Sequence, residues 1–392
     1  MSRHQVEVLT SFSQITAQEW QSLDRGDFIF ADYGFLTSLE DGGALGRRTG
    51  WYPQILVLKE DGNVRAACPI FLRSNSYGEY IFDWSWANAS EQAGHAYYPK
   101  LTSAIPFTPA TGHKFLIHPD ENAELARDLL TEAAIGLASR THSNSVHFLF
   151  TTPEENAQLE KAEFVIRESY QFHWRNPGWR DFQDFLDAFR SKRRSEIRRE
   201  RDAVRSLPLK IETLTGSELT VEHAGIMHAF YVSTVRKMGG ITYLTRSFFE
   251  QLFARLSSNI LFVVAYEGEK PVAGAINLFS GKTLFGRHWG CAEEYRNLHF
   301  EVCYYRAIDW ALANGVTLFE AGAQGEHKFN RGFTPNLCYS AHRLFHEPLH
   351  RAVTSFIEEE KTAIRELFAD YEAHDPFKRE VVATSPRLEN GR

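Results

Sequence analysis

One stretch of the sequence concentrates side chains able to move protons and hold anions. It reads Glu320-Ala-Gly-Ala-Gln-Gly-Glu-His-Lys-Phe-Asn-Arg-Gly-Phe333. Glu320, Gln324, Glu326, His327, Lys328 and Arg331 crowd a loop broken by Gly322 and Gly325, more hydrogen-bonding groups than a turn requires. They read as ligand contacts. Upstream, Glu301 falls in the first turn of a helix, at the border of an apolar stripe, with Tyr305 about one turn further on. His288 ends the strand before that helix, flanked by Arg287 and Trp289. Such groups suit general acid–base chemistry at a polarised centre, which needs a base, fixed hydrogen-bond donors and an acid. Glu301 is the candidate base, against a helix-dipole partner or a hydrogen bond to a neighbouring loop; His288 is a candidate proton relay, against a satisfied strand histidine; and Tyr305 completes the catalytic set.

A second stretch is strongly basic. From Arg190 to Arg205 eight Lys or Arg stand against Glu196, Glu200 and Asp202, a local +5 in a chain of net charge -7. The spacing predicts one helix over 182–205, apolar at its start. Arg193, Arg194, Arg198 and Arg199 are the candidate contacts to donor phosphates, against the plainer reading of a solvated face laced by i,i+4 pairs. In the first half Asp83, Trp84, Tyr97, Tyr98 and Lys100, with Trp86, form a patch that could hold a sugar or peptide or simply pack. His346-Glu-Pro-Leu-His350 spells a zinc-protease motif. Pro348 falls where both histidines would need one helical turn, so no metal is expected. No GxSxG elbow, Walker loop or dinucleotide fingerprint occurs.

The elements that must position these groups repeat. Leu56-Val-Leu-Lys-Glu-Asp-Gly-Asn-Val-Arg-Ala66 reads as a hairpin, and so does the stretch from Leu261 to Phe279; Val57 matches Val264 and Ala66 matches Ala273, each at an offset of 207. Strand runs at 80–84 and 284–289 follow, their tryptophans offset by 205. Each is followed by an amphipathic helix, one over 121–139, the other with Phe300, Cys303, Tyr304, Ala307, Ile308 and Ala311 on one stripe. A further strand closes each copy, 146–150 and 316–320, so a parallel pair is expected on either side of each helix. The expectation is therefore a mixed α/β chain of two lobes, 1–175 and 176–392, with a ligand cleft between them. At 392 residues, 43% hydrophobic and 24% charged, the chain is an ordinary globular one. Its 53 aromatic residues serve a core or line a groove. Four cysteines without a CxxC fit a reducing compartment, and no signal-length apolar run appears at the start. A cytoplasmic protein without a membrane span is expected.

The doubled unit resembles the tandem GNAT (Gcn5-related N-acetyltransferase) architecture, which is also that of the Fem aminoacyltransferases. The chain is similar to the Fem-like N-acyltransferases of the peptidoglycan biosynthesis or recognition family. Ser76-Tyr-Gly-Glu-Tyr-Ile-Phe-Asp-Trp-Ser-Trp86, Tyr97-Tyr-Pro-Lys-Leu101, Gly286-Arg-His-Trp-Gly-Cys291 and the 320–333 loop carry the resemblance. It implies an N-acyltransferase acting on a small-molecule or cell-wall precursor amine, with acyl-CoA, acetyl-CoA for instance, as the favoured donor and aminoacyl-tRNA as the other. No DNA partner is implied. The rival reading is a non-catalytic tandem module that recognises peptidoglycan precursors or a protein. A departure from the GNAT pattern bears on the donor. Where that fold carries its pyrophosphate loop, Cys291-Ala-Glu-Glu-Tyr-Arg-Asn-Leu-His299 stands instead, and Glu293 with Glu294 would repel a pyrophosphate.

Overall fold

The computed structural model describes residues 4–322 and 325–378, which belong to two compact units. One comprises the chain up to Tyr170, with Tyr243–Arg255 and Leu337–Arg365. The other comprises Gln171–Thr242, Leu256–Asn336 and the chain from Glu366.

In the first unit the hairpin forms as Ile55–Glu60 and Asn63–Cys68. Its turn places Asp61 and Gly62 at positive φ, 49° and 84°, the handedness that suits two twisted strands. His4–Leu9 and Leu116–Ile117 extend this sheet on its two sides. The crossing helix spans Ala123–Arg140, opened by the Asn122 side chain, which accepts from the Leu125 N–H. Its Ala126, Leu130, Ala134 and Leu137 pack on Leu56, Leu58 and Phe148. As the connection rule requires, Lys100–Ser103 and Ser145–Thr151 pair in parallel, Leu101 opposite Val146. The strand expected at 80–84 does not form. Tyr80 takes a positive φ of 61°, and Trp84 opens the helix Trp84–Gln92. Asp83 turns inward to a buried lysine, which an extended chain would prevent.

In the second unit Lys210–Thr215, Ile260–Glu267, Lys270–Ser280 and Thr283–Cys291 form consecutive antiparallel neighbours. Leu318–Glu320 then pairs in parallel with the start of the last of these, Thr283 opposite Leu318, and antiparallel with His173–Arg175. The crossing helix runs as Leu298–Phe300, a π-turn over Glu301–Tyr305, and Arg306–Ala313, and stops at Asn314 and Gly315 as the sequence indicated. Each unit therefore repeats hairpin, parallel pair and crossing helix, and the fold is a tandem GNAT-like one. The basic helix differs from expectation. Phe182–Ala188 and Ser191–Arg205 are separate helices, because Phe189 is extended, with ψ 154°, and inserts its ring against Phe185 and Phe377.

Candidate functional site

The second unit has a short parallel strand pair. Leu318–Glu320 meets Thr283–Cys291 over its whole length, opposite Thr283–Phe285, and the Gly286 carbonyl lies beside Gly322. A bulge falls just there. Ile276 pairs with His288 and Asn277 with Gly286, which leaves Arg287 as the extra residue. Bulges of this kind re-aim side chains beside functional sites. Beyond the bulge, the carbonyls of Trp289 and Cys291 accept from Thr234 Oγ1 (2.7 Å) and Ser233 Oγ (2.8 Å) on the helix Val221–Lys237. That helix lies so close that a Cβ on Gly290 would meet the Phe230 carbonyl oxygen at 2.0 Å.

After Glu320 the chain turns through Gly322, at φ +77°, into the 3-10 helix Glu326–Arg331. This helix delivers Lys328 to the interior, 3% exposed, where Nζ donates to the carbonyls of Ala321 (2.7 Å) and Gly322 (2.9 Å). Lys328 makes no ion pair among the described residues. Burial, opposed only by the neighbouring Cys303, pushes its ammonium down to about 8. Around it stand His299, Phe300, Tyr304 and His327. Tyr304 Oη and His327 Nε2 lie 3.0 Å apart, and the His299 and Phe300 rings are each 5.7 Å from that of His327. Burial, with the charge of Arg331, lowers His327; His299 falls to about 4, from burial and from His327, Arg331 and Lys328. Both imidazoles are neutral at pH 7.

Arg331 lies over the Phe300 ring at 3.2 Å, donates to the His327 carbonyl at 2.8 Å and binds Glu200 at 2.6 Å. Tyr305 Oη donates to the other Glu200 oxygen, and burial drives its pKa upward. Glu301 is buried between Arg201, Nε and Nη2 each at 3.2 Å, and Arg306 Nε at 3.1 Å. Arg201 also binds Asp309 at 2.5 Å. His288 packs against Tyr231, and burial together with Arg287 pushes it down to about 3. Glu320 is buried opposite His173, and Glu326 is exposed. Tyr305, His327, Lys328 and Arg331 thus share one cluster, while Glu301 belongs to the arginine network. Gln324 lies outside the described residues. The sequence reading passed over Glu200, Arg201, His299 and Tyr304. Their signal was the i,i+1 acid-base pair inside the basic run and the aromatic spacing of 299, 300 and 304.

Of the four candidate phosphate contacts, Arg193 pairs with Glu196 at 2.6 Å and Arg194 with Asp187 at 3.1 Å. Arg198 and Arg199 are exposed, and Arg199 Nε donates to the Ser195 carbonyl at 3.3 Å. At the proposed pyrophosphate position Glu293 and Glu294 bind Lys270 and Lys237.

The first-half patch is largely interior. Lys100 is fully buried, its Nζ bonded to Asp83, to Glu79 (2.8 Å) and to Ser76 (2.8 Å); Tyr97 Oη donates to Asp83 at 2.6 Å. Burial alone would raise Asp83, but Lys100 outweighs it and holds the carboxyl near 2. Tyr98 bonds Ser76, and Arg73 joins through Glu79 at 3.2 Å. Trp84 is half-exposed and stacks on Tyr77. Beside them His147 and His342 meet Nδ1 to Nδ1 at 2.7 Å.

The zinc-protease look-alike dissolves. Pro348 sits at the start of the helix Glu347–Ala373, His346 stacks on His95 and His350 Nδ1 accepts from the Leu344 N–H. His4, Glu60 and Glu121 bring one ligand atom each within 4.8 Å. Arg65 already binds both carboxylates there, at 3.2 and 3.3 Å.

The doubled hairpin, parallel pair and crossing helix define a protein of the tandem GNAT-like class. Within it, the chain belongs to the FemAB-like family, described as peptidoglycan biosynthesis/recognition, which it matches over residues 11–379. The structure is similar to that of FemX, with 13% identity, 87% of this chain and 98% of that one covered, and TM-score 0.53. It is also similar to the C-terminal domain of a putative lysylphosphatidylglycerol synthetase from Agrobacterium fabrum, with 11% identity, coverages of 88% and 97%, and TM-score 0.54. A tandem GNAT protein of the clavulanic acid biosynthesis pathway aligns at 10% identity, coverages of 87% and 98%, and TM-score 0.44. At these identities the likeness is one of fold. No curated relative matches the sequence. Among the described residues, no helix is long and apolar enough to cross a membrane.

Proposed function

We propose that the chain transfers an acyl or aminoacyl group from an ester or thioester to an amine of a cell-wall precursor, with lobe 176–392 carrying the chemistry. The observation that carries this reading is Lys328, a buried ammonium whose hydrogen-bond partners among the described residues are two carbonyls. A cation held without a carboxylate keeps its field for charge that develops later. In the transfer, the acceptor nitrogen attacks the donor carbonyl, the oxyanion forms against Lys328, and the C–N bond replaces the C–O or C–S bond. His327, neutral and exposed, takes the proton that the amine loses and returns it to the leaving group. Tyr304 orients that imidazole.

Glu301, with all its facing donors on guanidinium groups, acts as a positioning residue in this reading. Tyr305 and Arg331 do the same through Glu200, and neutral His288 packs its strand against Tyr231. The buried Asp83, Tyr97, Tyr98 and Lys100 network shapes the first lobe, where Trp84 is half-exposed. The membership in a family of peptidoglycan biosynthesis or recognition supports the acceptor class.

Transfer of labelled amino acid from aminoacyl-tRNA, and of acetyl from acetyl-CoA, to a UDP-linked muropeptide tests the reading. Lys328→Met is expected to lose about 10²–10³ in turnover, the usual worth of one oxyanion donor. Undiminished turnover would clear Lys328 of the oxyanion role, and no transfer from either donor by the wild type would favour the recognition module.

A further inference from the structure

We propose that Arg331, besides its hold on Glu200, is a second catalytic donor: its Nε–H, beside the Lys328 ammonium, binds the oxygen on which negative charge develops during transfer. The inference rests on the acyl-transfer reading of this lobe and adds to it a residue that touches the reacting atoms. Most of the Arg331 head group is already engaged. Nη1 donates to the His327 carbonyl at 2.8 Å, Nη2 binds Glu200 at 2.6 Å, and the guanidinium lies over the Phe300 ring at 3.2 Å. Glu200 has no oxygen to spare for it, since the other one accepts from Tyr305 Oη. Arg331 is 7% exposed, and its Nε is buried with no hydrogen-bond partner among the described residues. A buried guanidinium N–H left open is destabilising until something fills it. The contacts at both Nη atoms and the ring fix the plane of the group, so the open N–H has a set direction.

Lys328 gives that direction a meaning. The two residues are three positions apart on the 3-10 helix Glu326–Arg331, and in a helix of three residues per turn such side chains eclipse on one edge. Their shared neighbours agree with this. His327 is lowered by burial, then by Arg331 and Lys328, and the same two cations act on His299 after burial and His327. Among the described residues no carboxylate weighs on either imidazole or on Lys328. Lys328 gives two N–H groups to the Ala321 and Gly322 carbonyls, and an ammonium has three. The edge therefore offers one N–H from each residue and one positive charge that Glu200 does not balance. A water would answer the N–H groups but not the charge; an oxyanion answers both.

In the reaction the acceptor nitrogen adds to the donor carbonyl, the C–N bond forms, and the π pair moves to oxygen, which then accepts from Lys328 Nζ and Arg331 Nε. When that pair returns, the C–O or C–S bond breaks. The leaving oxygen or sulfur takes the proton that His327 carried from nitrogen. Donors fixed in advance at this oxygen act on the transition state rather than on the bound donor. Glu200, by holding Nη2, keeps Nε on that oxygen.

The test compares two monoanions on the full chain by isothermal titration calorimetry: dimethylphosphinate, which is tetrahedral, and acetate, which is planar. Wild type should favour the phosphinate. Arg331→Lys keeps a positive charge for Glu200 but has no N–H at the ε position, so it would rescue a residue that acted only through Glu200. The variant is instead expected to bind the phosphinate at least ~10-fold more weakly and to turn over ~10²-fold more slowly, the loss of one oxyanion donor, with KM little moved. Wild-type turnover in Arg331→Lys, a wild type that prefers acetate, or one that binds neither anion would each overturn the proposal. The wild-type comparison needs no variant, so it decides the matter even where circular dichroism shows Arg331→Lys to be misfolded. Failure of the wider reading looks different. If wild type and Arg331→Lys transfer equally well, the acyl-transfer reading stands without this donor. If wild type binds the phosphinate through Arg331 yet transfers nothing, the oxyanion pair stands and the transfer reading falls.

Discussion

Arg201 and Glu301, one hundred positions apart, meet through two contacts of 3.2 Å, Nε to Oε2 and Nη2 to Oε1. The pair ties the basic helix to the π-turn of the crossing helix, and Glu301 is 2% exposed. Removing Arg201 takes two of the three guanidinium contacts from a buried carboxylate and leaves it Arg306 alone. Arg201→Met should therefore cost about 3–5 kcal/mol by urea denaturation, and Glu301→Gln less, since the amide still accepts and no bare charge remains. An Arg201→Met protein as stable as wild type would show that the pair is not closed in solution.

Lys328 links activity and stability with opposite signs. Its ammonium, lowered to about 8 from 10.5, must be protonated to face an oxyanion, so turnover should fall as pH rises through about 8. The unfolded chain keeps this lysine protonated to higher pH, so between about 8 and 10.5 the group's burial penalty shrinks and its contribution to stability rises. A pH–rate profile of wild type against Lys328→Arg checks the first sign. An unmoved alkaline limb would remove Lys328 from the rate-determining protonation.

Buried neutral imidazoles make the fold acid-sensitive. Burial depresses His147, His173 and His288 each to about 3, and His342 well below its ordinary 6.5. Their contribution is complete above about 6.5 and is lost as pH falls towards 3, because the unfolded state binds the protons first. Each costs up to ~1.4 kcal/mol per pH unit in that window. Urea midpoints at pH 7, 6, 5 and 4 should decline, and His288→Gln should decline less steeply; parallel curves would contradict this.

Gly290 has no room for a methyl group. Its Cβ would fall 2.0 Å from the Phe230 carbonyl oxygen and 2.8 Å from the Phe230 Cα, main-chain atoms that cannot rotate away. Gly290→Ala should cost roughly 1–3 kcal/mol or more, as overpacking does, visible as a Tm drop of several degrees. Gly62→Ala, with open space around it, is limited to the strain of its φ of +84° and should cost less.

Hairpins, crossing helices and parallel pairs were legible because each is encoded locally, by a turn, a cap and an apolar period. Asn122, the Asp61-Gly62 turn and Asn314-Gly315 all act where they stand in the chain. The segment 80–84 misled because its alternation is that of a strand, while Asp83 answers to Lys100, seventeen residues away. Phe189 misled for the same reason: its ring belongs with Phe377. In the site, the cluster of polar residues after Glu320 was visible as density of side chains. Which of them is buried without a counter-charge was not, for Lys328 differs from Lys100 only in what the fold brings to it.

The π-turn at Glu301–Tyr305 carries one residue more than an α-helical turn can hold. Glu301 at its start and Asp309 after it nevertheless both reach Arg201. The bulge thus takes up one added residue without turning the helix beyond it, so that Ile308 still faces the core and Asp309 still faces Arg201.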